Sequence, residues 1–435
     1  MTPRIPAAPL LATLLSLLFA ALSAPCAFAA PMNVSGAIPA APGQAALQTI
    51  LSDLAKQRTE VVTIQRELVS RPAIGPEAGG EGEEAKAAWL LTLLKERGIS
   101  EVERVDSVDR TKSLDPEAKN LNVRPNIIVR HAGADGLEKG RTLWIICHLH
   151  VAAPGPLELW NGSPWTLRVE GDTLYGRGVM DNYQSVTAAL LLFESLSKNG
   201  IRPPMNLGLV LHSQNSGFRH VLEAKPDLFK PGDLFLVPDH GNPQGTVMGT
   251  AEKGLLWLKL TVTGQQGHAA TAPYVASALV AGSRLIASLP ELDKAFPARD
   301  PLFAIPASTF VATKAFTGDD GVNAIAAEYT LYLDCRFVPP YAPDDVEAGV
   351  RRFAEAVARE ASVSIAVERL VAWPAMPPTP ADSPVARALT RAVAAQMPRG
   401  TAIRPEGLGT TTAASFLRAK GLFAVSWAKM SRPKG

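Results

Sequence analysis

Apolar and polar residues alternate along the chain in blocks whose period changes from helix to strand. Apolar residues recur at helical spacing in LQTILSDLAKQRTEVVTIQRELVS, AWLLTLLKERG and SVTAALLLFESLSKNG. Short β-rich runs separate or follow these segments, namely NIIVRHAG, TLWIICHL, MNLGLVLHS and DLFLVPDHG. Because buried strands alternate with helices, the pattern predicts an α/β fold with a mostly parallel sheet.

The pattern changes close to Glu252. The stretch GLLWLKLTVTGQQGHAA alternates apolar and polar positions, which is typical of a strand with one solvated face. A helix, the strand EYTLYLDCRFVP, a second helix and the strand SIAVERL follow in that order. This succession predicts an inserted ferredoxin-like α+β domain over residues 253–370. The first domain then comprises residues 45–252 and 371–435.

The N-terminal residues 1–29 have the features of a secretory signal peptide. Arg4 precedes an apolar run, and Ala27-Phe28-Ala29 fits the A-x-A cleavage pattern. The run is shorter than the ~20 residues that a membrane-spanning helix needs. We therefore predict export to the periplasm or the extracellular space and a mature chain without a membrane span. Residues 30–44 are predicted to be a linker.

The composition of the 435 residues is that of a globular protein, with 47% hydrophobic and 19% charged residues. The net charge is +2, and Lys and Arg are scattered along the chain, so no nucleic-acid partner is expected. Cys147 and Cys335 lie in apolar, strand-like runs. Two isolated cysteines predict buried thiols rather than a disulfide framework.

Polar residues gather at the ends of several predicted strands. His148 and His150 follow TLWIIC, HSQNSG follows MNLGLVL, and Asp239 follows LFLVP. Asp181 stands in the motif GRGVMDN. One such residue is more often a surface or turn residue than a ligand. Together they predict a site, because ligands of open α/β sheets bind beyond the carboxyl ends of the strands.

In these motifs the chain resembles the di-zinc exopeptidases and amidohydrolases that include carboxypeptidase G, acetylornithine deacetylase and succinyl-diaminopimelate desuccinylase. The motifs HLHVAAPG, LWNGSPWTLRVEGDTLYGRGVMDN, AEKGLLWLKLTVTGQQGHAATAP, VNAIAAEYTLYLDCRF and GLGTTTAASF follow one another in the family's order. The resemblance implies that the insert is a lid and dimerisation domain and that the chain forms a homodimer through it. It also implies a small-molecule amide or dipeptide as ligand.

The resemblance implies three metal ligands, His148, Asp181 and Asp239, with Asp181 as the residue that bridges two ions in the family. One nitrogen and two carboxylate groups suit zinc, with cobalt or manganese as alternatives. Residues on the substrate side of the site are implied in the same way. They are His268, Asn323, Arg336 and Thr411.

The sequence departs from the family pattern at the second metal and at the general base. Gln214 and Asn215 stand where the family has two Glu residues, a base and a ligand. An amide does not take up a proton at neutral pH, and it binds a cation less well than a carboxylate. His150 stands where the family has an Asp, and no His follows His268 as the family's last ligand. We therefore expect at most one ion per chain.

Three functions are open at this point, and no catalytic residue is assigned. We favour an exported metallohydrolase-family protein that is catalytically silent or weak. The second is an active single-metal amidohydrolase or dipeptidase in which His150 or His212 replaces the base. The third is a non-enzymatic dimer that binds peptides or acyl-amino acids through Arg336. A salt bridge at the end of its strand is the alternative interpretation of Arg336.

Overall fold

The computed structural model describes residues 42–108, 123–318, 321–395, 397–398 and 400–430. The predicted signal peptide and residues 30–41 of the predicted linker lie outside this part of the chain. The chain divides into two compact units. The first comprises the described residues up to Thr250, those within Thr379–Pro405 and those from Thr412 onwards, and the second comprises the described residues within Ala251–Pro378 and Glu406–Thr411.

The α-helices, in chain order, are α1 Pro42–Ala55, α2 Arg58–Ser70, α3 Glu84–Glu96, α4 Gln184–Lys198, α5 Asn215–Ala224, α6 Ala278–Ala287, α7 Pro290–Ala295, α8 Pro343–Ala361, α9 Pro384–Ala394 and α10 Ala413–Ala419. Helix α1 already begins at Pro42, within the predicted linker. The first predicted helical stretch forms two helices, interrupted at Lys56 and Gln57. Within the described residues, no helix is both long and apolar enough to cross a membrane.

The strands are β1 Val102–Val108, β2 Val123–His131, β3 Thr142–His148, β4 Arg168–Glu170, β5 Thr173–Tyr175, β6 Asn206–His212, β7 Leu234–Asn242, β8 Val247–Glu252, β9 Gly254–Thr263, β10 Gly267–His268, β11 Thr309–Thr317, β12 Ala324–Ile325, β13 Glu328–Phe337, β14 Ser364–Trp373, β15 Arg404–Leu408 and β16 Ala424–Lys429.

The first unit is built on an eight-stranded sheet in the order β1-β2-β6-β3-β7-β16-β8-β15. Its central strands β6, β3, β7 and β16 run parallel, whereas β1, β2 and β8 pair antiparallel with their neighbours. Every residue of β6 is buried, as expected of a strand covered on both faces. Helix α4 is buried along most of its length. The prediction of an α/β fold with a mostly parallel sheet is confirmed.

The second unit contains an antiparallel sheet in the order β11-β13-β9-β14. Leu256, Leu258 and Leu260 of β9 face its core and are buried. Strand β11 was missed by the sequence pattern, because this edge strand is half-buried or exposed and shows no regular alternation. With β11 the element order is the β-α-β-β-α-β order of ferredoxin-like domains. Strand β14 ends at Trp373, beyond the predicted end of the insert at residue 370.

The contact of Gly282 with Tyr329 in the second unit predicts an unusual effect of Gly282→Ala. Alanine is favoured over glycine in a helix by about 1 kcal/mol. At position 282 of α6, however, a Cβ atom would lie 2.1 Å from Cδ1 of Tyr329. We expect the variant to lose stability, because overpacking a core typically costs about 1–3 kcal/mol.

Urea unfolding followed by fluorescence measures this difference. Ser283→Ala is the matched control, because Ser283 is the next residue of the same helix and is exposed. Its stability should stay within about 0.5 kcal/mol of the parent chain. A Gly282→Ala variant that is as stable as this control would show that the packing against Tyr329 is looser than described.

Candidate metal site

The carboxyl ends of three neighbouring parallel strands carry the candidate ligands and their neighbours. Strand β3 ends at His148 and strand β6 ends at His212, and these two residues are paired in register. Strand β7, on the other side of β3, carries Asp239. Because parallel strands end at the same edge of a sheet, residues distant in sequence meet there.

Asp181 reaches this edge from an irregular turn, Val179–Tyr183, that precedes α4. The peptide bond between Asp181 and Asn182 is cis. The Asn182 side-chain amide donates a hydrogen bond of 2.7 Å to the carbonyl of Pro238, the residue before Asp239. Gly178 precedes the turn with φ of 89°, and a Cβ atom there would lie 2.4 Å from the ring of Tyr183. Asn182 and Gly178 were not among the predicted site residues, although both lie in the GRGVMDN motif.

The three predicted ligands converge. Nε2 of His148 lies 2.9 Å from Oδ1 of Asp181 and 3.4 Å from Oδ1 of Asp239. Their ligand atoms all lie within 4.8 Å of one another, and no other residues of the described chain form such a group. The His148 ring is buried, whereas the Asp181 side chain is 60% exposed. The site is therefore open to solvent on the Asp181 side.

The main chain determines which nitrogen of His148 faces the carboxylates. Nδ1 of His148 lies 2.9 Å from the carbonyl oxygen of His150, which can only accept a hydrogen bond. Nδ1 is therefore the donor, and Nε2 is directed to the two aspartates. Metal-ligating histidines typically have their second ring nitrogen held in this way. The donor set and the orientation of the ring both fit a divalent metal ion.

The charges of this group shift its pKa values. Burial alone would lower the pKa of His148, but the carboxylates of Asp239 and Asp181 raise it to about 10. Desolvation would raise the pKa of Asp181, but the hydrogen bond and the charge of His148 lower it to about 2. Burial raises the pKa of Asp239 despite the opposing effect of His148. The two carboxylates therefore stabilise a positive charge on His148. A bound cation would take the place of the proton that carries this charge.

Two further imidazoles lie beside the three ligands. The His150 ring is 4.4 Å from the His148 ring, and the His212 ring is 6.3 Å from it, centroid to centroid. Nδ1 of His150 donates to the carbonyl of Ser213 at 2.7 Å, and Nδ1 of His212 to that of Gln214 at 3.2 Å. Burial and the positive charge of His148 lower the pKa of His212 to about 3 and also lower that of His150.

Gln214 lies at the junction of β6 and α5. It is the N-cap residue of α5 with φ of −111° and ψ of −179°, and its side chain does not cap the helix. The preceding residue, Ser213, is fixed by a hydrogen bond of 3.1 Å from its N–H to Oδ1 of Asn126. Position 214, where the resemblance implies the base, therefore follows a hydrogen-bonded residue and carries an amide.

The predicted substrate-side residues lie in the second unit, where His268 and Asn323 come together. Both are exposed. Strands β10 and β12 pair His268 with Ala324, and the Asn323 side-chain amide lies 3.2 Å from Nε2 of His268. Nδ1 of His268 accepts a hydrogen bond from the Ala270 N–H. Thr411 is half-buried in the loop that follows β15.

Arg336 forms an ion pair with Asp334 of its own strand. Its Nε and Nη2 atoms donate to the two carboxylate oxygens at 2.7 and 3.0 Å. Trp257 donates a further hydrogen bond of 2.8 Å to the same carboxylate. One edge of the guanidinium group is therefore already engaged, as in the salt-bridge interpretation of this residue.

Comparisons with known proteins agree with the fold and the motifs. A model of the peptidase dimerisation domain matches residues 250–362. An uncharacterised metallohydrolase of Methanococcus maripaludis is 28% identical over 388 residues, which cover 85% of this chain and 91% of the relative. A succinyl-diaminopimelate desuccinylase of a Methylobacterium species is 29% identical over 308 residues, which cover 68% of this chain and 70% of the relative.

A solved structure shares the fold. The crystal structure of an M20 family metallo-carboxypeptidase from Sulfolobus solfataricus matches with a TM-score of 0.64 and 18% identity, over 86% of this chain and 92% of that one. The ordered motifs, the matched dimerisation domain and these relatives support the assignment of the chain to the M20 family of metallopeptidases.

Proposed function

We propose that this chain binds a single divalent cation and hydrolyses amide bonds weakly or not at all. One observation carries the proposal. His148, Asp181 and Asp239 converge at the strand ends, whereas the adjoining end of β6 is followed by Gln214 and Asn215. A first metal ion would have one imidazole and two carboxylate ligands, while a second would have no carboxylate of its own at position 215.

The ion that fits this donor set is zinc, with cobalt or manganese as alternatives. When bound, such an ion supplies Lewis acidity that polarises an amide carbonyl. The residues of this chain would contribute its placement. His148 offers Nε2, Asp239 contributes a largely enclosed carboxylate, and Asp181 lies on the open side of the site.

Gln214 is the main reason for the expected weak activity. Amide hydrolysis requires a group that takes a proton from the attacking water, and the family resemblance implies a Glu at position 214. The Gln214 amide is a hydrogen-bond partner but not a proton acceptor at neutral pH. Loss of a general base typically costs about 10²–10⁴-fold in rate.

A second candidate function is an active single-metal amidohydrolase, and the placement of His150 favours it. Its ring lies beside that of His148, at 4.4 Å between centroids. Because Nδ1 donates to Ser213, the neutral ring keeps Nε2 as an acceptor. Its lowered pKa makes this imidazole a weak base, so we rank this candidate second.

We propose an amide or dipeptide ligand on the strength of the family resemblance. The non-enzymatic alternative required Arg336 to bind a carboxylate of such a ligand. The Asp334 carboxylate already occupies one edge of the Arg336 guanidinium group, so a ligand would have to compete with it or use the remaining edge. This contact weakens support for binding through Arg336.

We also propose export and a homodimer. Residues 1–29 support export, and N-terminal sequencing of material from outside the cytoplasm should find a chain that begins at or next to Ala30. The match to a dimerisation domain supports a homodimer through the second unit. Sedimentation velocity at micromolar concentration should show a dimer, and a monomer would contradict this part of the proposal.

The proposed metal site predicts one tightly bound ion per chain. Elemental analysis and calorimetric titration should find one zinc or cobalt ion. We expect His148→Ala and Asp239→Asn each to abolish tight binding, because each removes one of three ligands. His131→Ala is the control and should bind as the parent chain does, since His131 pairs with Leu207 near the start of β6, away from His212 at its end. Two tightly bound ions would show that His150 or His212 has become a ligand.

The absent base predicts the outcome of a rescue experiment on N-acyl amino acids and dipeptides. Gln214→Glu together with Asn215→Glu restores both carboxylates of the family pattern. We expect no rise in hydrolysis on the 10²–10⁴-fold scale of a general base. His150 still donates to the carbonyl of Ser213, next to position 214, and a misplacement of about 1 Å can itself cost on the order of 10²-fold.

Adding His150→Asp to this double variant should be required for a large gain. A strong rise in the double variant alone would mean that the substitutions at 214 and 215 are the main defect. His150→Gln in the parent chain distinguishes the second candidate. If the parent hydrolyses these substrates and His150→Gln does not, His150 acts as the base and our first proposal is overturned.

A further inference from the structure

A lysine is buried beneath the candidate metal site. Lys86 lies in the first turns of α3, and its side chain has no exposure to solvent. Its Nζ donates a hydrogen bond of 3.3 Å to the carbonyl oxygen of Leu149. The same ammonium group lies 3.7 Å from the centroid of the Tyr183 ring, within the range of a cation–π interaction.

No carboxylate neutralises Lys86 by direct contact among the described residues. The nearby Glu83 is buried, but both of its oxygens accept hydrogen bonds from Arg124 at 2.7 and 2.5 Å. An amine buried without its own counter-ion is unfavourable, and burial lowers the pKa of Lys86. A methionine would fill similar space without this cost, so the polar head group of Lys86 requires an explanation beyond packing.

The contacts of Lys86 lie on both segments that carry metal ligands. Leu149 stands between His148 and His150, and its N–H donates to the carbonyl of His212 at 2.8 Å. Lys86 holds the carbonyl of this same residue. The next carbonyl, that of His150, is the one that orients the His148 ring. The main-chain N–H and the main-chain carbonyl of Leu149 are thus both hydrogen-bonded. Leu149 lies within the turn that the His148–His150 hydrogen bond closes.

The other contact of Lys86 reaches the turn of Asp181. Tyr183 is two residues beyond Asp181, and its ring is buried between the ammonium group of Lys86 and Gly178. The Lys86 side chain therefore contacts both the segment that follows His148 and the segment that follows Asp181.

We propose that Lys86 is a positioning residue that aligns His148 and Asp181 for metal binding. The role rests on the proposed function, because it presumes an ion at His148, Asp181 and Asp239. Lys86 does not touch the ion. It fixes the Leu149 peptide and the Tyr183 ring, and these determine where the two ligand segments lie. Outer partners of metal ligands typically change metal affinity about 10–100-fold when they are lost.

Lys86→Met tests the proposal, because methionine retains the length of the side chain and removes its donor and charge. We expect Co²⁺ to bind about 10-fold more weakly or worse, with an altered visible absorption spectrum, in a variant that still unfolds cooperatively. Lys86→Arg retains a charged donor and should recover part of the affinity. Full affinity and an unchanged spectrum in folded Lys86→Met would overturn the proposal.

Asn206→Ala is the matched control. Asn206 is buried at the opposite end of β6, and its side chain bonds the Gly133 N–H at 2.7 Å and the Gly140 carbonyl at 3.1 Å. Its replacement removes buried hydrogen bonds to the main chain, as Lys86→Met does, but far from the strand ends. An equal loss of Co²⁺ affinity in this control would show a general effect of destabilisation and would contradict the specific role of Lys86.

A metal-free measurement separates this proposal from that of the metal site. In protein labelled with ¹⁵N-histidine, the ring signals of His148 are assigned by their loss in His148→Ala. Lys86→Met should shift them, and Asn206→Ala should not. If the parent chain binds no Co²⁺ but the shift occurs, the metal proposal fails and the role of Lys86 in metal binding fails with it, although Lys86 still places the His148 ring. If the parent binds Co²⁺ and neither the shift nor the affinity changes, only the role of Lys86 fails.

Discussion

Parallel hydrogen bonding of β3 with β6 and β7 is the constraint on which the site depends. It brings the end of β3 level with the end of β6, as the pairing of His148 with His212 shows, and it places Asp239 on the neighbouring strand. Burial of these strands makes the register firm, because a shift by one residue would exchange the faces of every side chain. The candidate ligands are therefore positioned by the main chain of the sheet.

The histidines at this edge are held by main-chain carbonyl groups. Nδ1 of His148 donates to His150, Nδ1 of His150 to Ser213, and Nδ1 of His212 to Gln214. An imidazole at position 150 can make such a bond, whereas a carboxylate offers only acceptors. The histidine at position 150, where the resemblance implies an Asp, thus makes a specific contact between the ends of β3 and β6. The three imidazoles form an ordered polar arrangement rather than a loosely filled space.

The second unit shows how a side chain that suits a ligand can have its hydrogen-bonding capacity used within the protein. Arg336 has the charge and the planar geometry that suit a carboxylate ligand. The Asp334 carboxylate accepts two hydrogen bonds from the Arg336 guanidinium group and one from Trp257, so part of the capacity of Arg336 is used within the sheet. His268 and Asn323, in contrast to Arg336, meet at an exposed position where the short strands β10 and β12 pair.

The sequence by itself determined the α/β class, since apolar periodicity is a local property. It also predicted an inserted α+β domain, and the resemblance of its short motifs implied the three candidate ligands. Tertiary structure decided which nitrogen of His148 faces the carboxylates and that Arg336 pairs with Asp334. It also revealed β11, whose edge position leaves little apolar alternation to detect. The contacts of Lys86 were equally hidden. Lys86 contacts Leu149, 63 positions later in the sequence, and Tyr183, 97 positions later. Only tertiary packing brings such residues together.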